Sequence, residues 1–263
     1  MGFFRVKKSL FCSVILEADY YKICLREMGS KNRVLSEILK TQAIDDPRNI
    51  ATVLDELLKE YEDKKIFLCV LMGEATQGVV KGSEVSDEEC KIVTVNSDFL
   101  VYNRKDEVEA IDSLFEPYKI DEHLNALKLL YFFYKNEKFQ QNALFILRLE
   151  HSIAVMFADE NEVFDAYMVD FVQERLNAIV TNPNDLALDD EDEVFYQTIK
   201  KQIENFYKKE GSKFVQNIFI YDADARNDAN MSYYIFKNLL IKTQVAPIKV
   251  VDFMNRVNIK ENG

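Results

Sequence analysis

Glycine and proline are scarce, at seven and four in 263 residues. That scarcity argues against long flexible linkers and against glycine-rich loops that let backbone amides cradle a ligand. Paired cysteines are also missing. The four cysteines show no CxxC spacing, and two histidines make no His/Cys ligand set, which argues against zinc and thioredoxin-like chemistry. Cys12, Cys24 and Cys69 sit inside apolar runs, where a free thiol acts as a small hydrophobe. Reduced thiols suit a cytoplasmic location. A basic face is lacking too: the net charge is −12, and the short cluster Arg5, Lys7 and Lys8 is a local exception that reads as a solvated amino terminus. Broad binding to DNA, RNA or anionic lipid needs such a face. No apolar run approaches the length of a membrane span. The first residues lack the pattern of a signal peptide. Continuation of the natural chain into a transmembrane segment stays open. No complete catalytic motif occurs anywhere.

What the chain does have is a repeated layout. Apolar runs fill Leu144 to Leu149, Ile153 to Phe157 and the stretch around Val163, Phe164 and Tyr167, separated by brief polar breaks. Short apolar runs joined this way predict a meander of antiparallel strands. The same layout covers Ser9 to Ala18, Tyr20 to Glu27 and Asn32 to Lys40. In both copies the first strand ends in Leu-Glu, at Leu16-Glu17 and Leu149-Glu150.

Asp45-Asp46-Pro47 predicts a helix start, because an Asp caps free amides and Pro fits the first turn. Ile50, Val53, Leu54, Leu57, Leu58 and Tyr61 then share one face. Ile66 to Met72 is a continuous apolar run, as in a central strand buried on both sides. Residues 73–90 predict a surface loop, Lys91 to Tyr102 one or two strands, and Val108 to Phe115 a short helix. Asp121 to Tyr134 predicts a helix that is apolar nearly all round, and polar Asn136 to Gln141 a boundary. Further on, the pattern predicts a weak helix over Phe171 to Val180. A second helix follows the acidic run Asp189, Asp190, Glu191, Asp192, Glu193, whose charges favour a helix start. Phe214 to Tyr221 predicts a strand, Asn230 to Ile241 a helix, and Ile248 to Phe253 a final strand. Phe67, Leu68, Val70, Ile218, Phe219 and Ile220 are expected on buried sheet faces.

The whole is therefore expected to be an α/β protein of two units, residues 1–138 with a loop insertion and residues 139–263. Each unit reads as three antiparallel strands, helix, strand, with a helix and strand to follow. That order resembles the ribonuclease-H-like unit. Duplicated, it resembles the actin-like ATPase fold, and within it the PilM-like and GspL-like platform proteins. The resemblance lies in element order over most of the chain, with no shared signature peptide.

Actin-like ATPases place an Asp-apolar-Gly turn between the first two strands of each half, and a glycine-rich adenosine loop later. Aligned on the Leu-Glu repeat, the Asp positions hold Ile15 and Arg148 and the Gly positions Glu17 and Glu150. Lys22 matches a basic residue that often follows. The adenosine loop, Tyr221 to Asp228, has no glycine. The resemblance thus implies a degenerate site with no nucleotide, metal or other cofactor, and no catalytic residue. Arg148 leaves weak anion binding open. Glu17 and Glu150 are also readable as exposed turn residues.

By resemblance, the expected function is a non-catalytic scaffold at the cytoplasmic face of a type II secretion, type IV pilus or DNA-uptake machine. Its partners would be the assembly ATPase and inner-membrane platform proteins. Membrane contact would come through partners or a segment absent from this chain, and a homodimer is open. The acidic run 189–193 is either a solvated helix cap or a partner-binding patch. Two alternatives remain. One is a divergent actin-like ATPase. The other is a ribonuclease-H-like nuclease using Glu150, Glu193 and Asp222 around metal. Asp222, Asp224 and Asp228 have calcium-loop spacing, but Asn227 and Tyr233 replace the required Gly and Glu. His123 and His151 are lone histidines, each expected at the surface.

Overall fold

The computed structural model describes residues 9–17, 20–29, 33–43, 46–80, 85–86, 88–181, 191–223 and 228–262. Strands β1 (Ser9–Leu16), β2 (Tyr20–Met28) and β3 (Val34–Ala43) form an antiparallel meander. A 3-10 turn, Pro47–Asn49, leads into helix α1 (Ile50–Leu58). The helix thus begins three residues later than the Asp-Pro signal suggests; the Asp46 carboxylate accepts from the Arg48 amide at 3.0 Å within that turn. The apolar run becomes β4 (Lys65–Met72), parallel to β1.

An insertion follows. β5 (Gly78–Val79), β6 (Cys90–Thr94) and β7 (Leu100–Arg104) make a three-stranded sheet in the order β5-β7-β6. Gly78 lies so close to Tyr102 that an added Cβ would fall 2.6 Å from the hydroxyl oxygen. Helix α2 (Lys105–Phe115) returns the chain to β8 (Glu122–Asn125), which pairs in parallel with β4 and completes the sheet β3-β2-β1-β4-β8.

The helix expected from Asp121 therefore starts late. Its first residues are β8, and α3 spans Ala126–Asn136. The switch falls at Asn125, whose side chain accepts from the Leu127 and Lys128 amides and caps the helix.

The second half repeats the plan with β9 (Ala143–Arg148), β10 (Ser152–Ala158) and β11 (Val163–Asp170), then α4 (Phe171–Thr181) and α5 (Glu191–Lys209). Next come β12 (Asn217–Asp222), α6 (Asp228–Leu239), β13 (Lys242–Pro247) and α7 (Val250–Asn262). The sheet order is β11-β10-β9-β12-β13, the counterpart of the first. The final strand expected at Ile248 to Phe253 is instead the start of α7. Val250, Val251, Met254 and Val257 are buried at helical spacing, and that period extends past Phe253.

Both sheets are covered on both faces. Outer cores lie under α1 in the first unit and under α5 and α6 in the second. The inner faces share one central core with α3 and α7. The cover is crossed: α3 follows the first sheet but packs on β9 and β10, and α7 follows the second sheet but packs on β1, β2 and β4. Buried Asn255 holds α7 there by donating to the Phe11 carbonyl at 2.8 Å and the Cys24 carbonyl at 3.1 Å, and Asn258 donates to the Phe67 carbonyl at 3.2 Å. Phe133 of α3 stacks on Tyr221 and Phe253. Phe67, Leu68, Val70, Ile218, Phe219 and Ile220 are all buried, as expected.

Candidate functional site

The two β-turns define the cleft between the units. In the first, the Glu17 amide donates to the Tyr20 carbonyl at 3.0 Å; in the second, the Leu149 amide donates to the Ser152 carbonyl at 2.9 Å. These bonds make Glu17 and Leu149 equivalent. The Leu-Glu repeat is therefore displaced by one residue between the halves, and the pairing of Ile15 with Arg148 and of Glu17 with Glu150 is corrected. Side chains alternate along a strand, so a slip of one residue exchanges the faces. Ile15 and Glu17 point to the inner side with Leu147 and Leu149, whereas Arg148 points to the outer side with Ile146.

Arg148 consequently lies away from the cleft. Its buried guanidinium pairs with Asp222 Oδ2 at 3.4 Å, Glu191 Oε1 at 2.9 Å and Asp192 Oδ1 at 3.4 Å. It also lies over the ring of Phe195, 4.4 Å from the centroid. Three carboxylates and an aromatic face occupy it, so it is not a free phosphate-binding cation.

A cavity of about 250 Å³ opens at the ends of β1 and β4, against α2 and the β9–β10 turn. Its apolar wall includes Ile15, Leu71, Met72, Ile111 and Leu149. Glu17, Glu74, Glu107 and Glu150 supply its charge, His151 also lines it, and no Lys or Arg is among the described residues lining it. Glu17 is not an exposed turn residue: its side chain is only 6% exposed. Its Oε1 takes Lys22 Nζ at 3.2 Å, while its Oε2 has no hydrogen-bond partner among the described residues. Glu107, on α2, accepts from the Thr76 hydroxyl through Oε1, and its buried Oε2 likewise has no partner among the described residues. Burial is the main reason its carboxyl is pushed above the ordinary range; the Thr76 bond opposes this and the charges of Glu74 and Asp106 add to it. Glu150 is partly exposed, with Oε2 4.0 Å from His151 Nε2. The Ser152 hydroxyl donates to the Gly73 carbonyl and ties the two rims together.

Glu74 and Glu107 escaped the sequence reading because they lie on the insertion, outside the repeated meander. Only the return of α2 over the end of β4 brings them to the cleft. His123, expected at the surface, is buried in β8. Its Nε2 donates to Asp112 Oδ1 at 2.9 Å and its Nδ1 accepts from Lys91 Nζ at 3.1 Å. Burial, with help from the Lys91 charge, holds its pKa below the ordinary value. His151 is exposed.

The nuclease trio is dispersed. Glu150 is at the cleft, Glu193 bonds the Tyr234 hydroxyl and Gln197 on α5, and Asp222 faces Arg148. Among the described residues no three His, Cys, Asp or Glu side chains are placed to hold a metal ion. Of the calcium-like spacing, Asp224 and Asn227 lie outside the described residues, as do Asp189 and Asp190 of the acidic run. Within that run, Glu191 and Asp192 are engaged by Arg148 and Glu193 by Tyr234.

Comparison with solved structures gives this architecture its place. A Bacteroides thetaiotaomicron protein with an actin-like ATPase fold aligns at TM-score 0.54 and 9% identity over 100% of both chains. The fold is the actin-like ATPase fold. A PilM–PilN type IV pilus biogenesis complex aligns at TM-score 0.57 and 10% identity, over 90% of this chain and 88% of the other. MreB 5 of Spiroplasma citri bound to AMPPNP aligns at 0.50 and 10% identity, covering 97% and 98%. At such identities the shared property is the actin-like fold itself. Two family profiles match parts of the chain: a domain of unknown function, DUF8569, over residues 7–122, and another, DUF8341, over residues 182–263. No curated protein matches. Among the described residues, no helix is long and apolar enough to cross a membrane.

Proposed function

We propose that this chain is a non-catalytic actin-like scaffold at the cytoplasmic face of a bacterial type IV pilus, type II secretion or DNA-uptake machine. Its partners are the assembly ATPase and inner-membrane platform proteins. The observation that carries this reading is the charge of the cleft. Among the described residues, four glutamates and no Lys or Arg line the place where this fold would set a triphosphate. Two like charges 4 Å apart repel by about 4 kcal/mol at an effective dielectric of about 20, and a triphosphate brings several. The likeness to the PilM–PilN complex supports a partner-binding role.

An exposed edge strand supplies a surface for such a partner. Val34, Leu35, Ile38 and Leu39 of β3 are all exposed, and among the described strands β3 pairs with β2 alone. An apolar strand edge of this kind invites an added strand. The test has two arms. Titration calorimetry with ATP and magnesium is expected to give no heat of binding; micromolar affinity, near −8 kcal/mol, would overturn the reading. Affinity capture from the protein's own cells is expected to return an assembly ATPase or inner-membrane platform protein. Recovery of neither would remove the machine from the proposal.

A further inference from the structure

We infer that the exposed ridge of α6 is a docking face for an anionic phospholipid surface. The scaffold reading leaves membrane contact to partners, so this inference goes beyond it and stands without it. Three observations meet on the ridge. The first is apolar exposure. Tyr233, Phe236 and Leu240, the last just past the final turn, are 64%, 48% and 79% exposed. Their i, i+3, i+7 spacing puts them on one face. Met231 and Ile235 lie opposite and pack in the outer core. Tyr234 is engaged as well, by Glu193 and by the ring of Tyr196. Phe214, 60% exposed, continues the patch. Asn217 and Lys242 are register partners, so Phe214 and Leu240 both lie where β12 and β13 begin.

The second observation is charge. The chain carries −12, yet Ala229 to Val251 holds no Asp or Glu, its longest such stretch, and does hold Lys237, Lys242 and Lys249. Lys237 shares the ridge, four residues from Tyr233 and three from Leu240, and both it and Lys242 are exposed. A lysine stem lies along apolar surface while its ammonium reaches headgroup phosphates. The third is backbone. Leu240 has φ of 57°, where glycine is favoured. A leucine held there and mostly in solvent adds little to the fold, but it is the most exposed large apolar side chain among the described residues. A standard protein interface covers about 800 Å² per partner, more than a few side chains on one convex helix supply. A bilayer asks for only such a set: apolar side chains to enter the acyl boundary and lysines to face anionic headgroups.

Co-sedimentation of the full chain with vesicles at low ionic strength tests this with no partner protein present, so its outcome is separate from that of the scaffold reading. Binding is expected to vesicles of phosphatidylcholine and phosphatidylglycerol in equal parts, and not to phosphatidylcholine alone. Lys237→Gln should weaken it roughly fivefold, the share of one surface lysine. Leu240→Gly should weaken it roughly tenfold. That variant is expected to be more stable than the parent chain, so its loss of binding is separable from misfolding; circular dichroism checks the others. Leu176→Ala, at an exposed position of α4, should leave binding unchanged. Absence of binding to the anionic vesicles would overturn the inference. So would equal binding to both vesicles, or binding unchanged in Leu240→Gly and Lys237→Gln. Without vesicle binding, a dimer that Leu240→Gly dissociates would assign the ridge to a second copy, and a protein captured by the parent chain but not by Leu240→Gly would assign it to a protein partner.

Discussion

Arg148 and Asp222 are register partners on adjacent parallel strands, β9 and β12, with Nη1 3.4 Å from Oδ2. The pair closes the outer face of the second sheet beneath α5, where Glu191 and Asp192 bring two further carboxylates to the guanidinium. It replaces, with an internal ion cluster, the free cation that the sequence placed near the cleft.

Arg148→Ala is expected to destabilise the protein by about 3–5 kcal/mol, because it removes the cation from a buried group of carboxylates that includes Asp222. Urea denaturation measures the loss. Adding Asp222→Asn to Arg148→Ala should recover a substantial part of it. Equal instability of the single and double variants would show that the cluster contributes packing alone.

Phe133 joins the halves by stacking on Tyr221 and Phe253, with ring centroids 4.1 and 3.9 Å away. Phe133→Ala should cost about 3–5 kcal/mol. Because the contact spans the central core, the loss should appear as one cooperative transition shifted to lower urea, with both halves unfolding together.

Leu240 follows α6 with φ of 57°, a left-handed conformation that opposes a branched L side chain, and it is exposed. Its amide donates to the Phe236 carbonyl at 2.8 Å, closing the helix end. Leu240→Gly is expected to stabilise the protein by about 1 kcal/mol. A thermal midpoint that fails to rise would contradict this account of the cap.

His123 ties stability to pH. Its folded pKa is depressed by burial and Lys91, so below the unfolded value of about 6.5 the unfolded chain takes up the proton first. Stability from this residue is therefore fully present above the unfolded pKa and is lost as pH falls through the folded one. Chemical denaturation across that range should show a decline that His123→Gln reduces. An NMR titration placing the ring above its ordinary pKa would refute the sign.

The thiols give a simple check of burial. Cys12, Cys24 and Cys69 are buried, and desolvation pushes the Cys24 thiol up to about 12. Only Cys90 is partly exposed. A thiol reagent should label Cys90 on the native protein and the other three only on unfolding.

Much of this molecule was legible in one dimension. The meanders Ser9 to Lys40 and Asn142 to Asp170 reveal themselves by short apolar runs, because their inner strands β1, β2, β9 and β10 are buried on both faces and need apolar residues nearly throughout. The run from Ile66 to Met72 is the clearest case. The glutamates at the two turns, and the lack of glycine there, were also plain. Tertiary structure alone decided the rest. β8 is four residues long, too short for any periodicity, and exists because Glu122–Asn125 find the free edge of β4. α7 needs a sheet to cover its apolar face, and the nearest uncovered one belongs to the other half. The cleft depended on register: the repeated Leu-Glu is the same in sequence but one residue apart in space. Alternation along the strand then sends Glu17 inward and Arg148 outward, a difference that only the hydrogen bonds of the two turns determine.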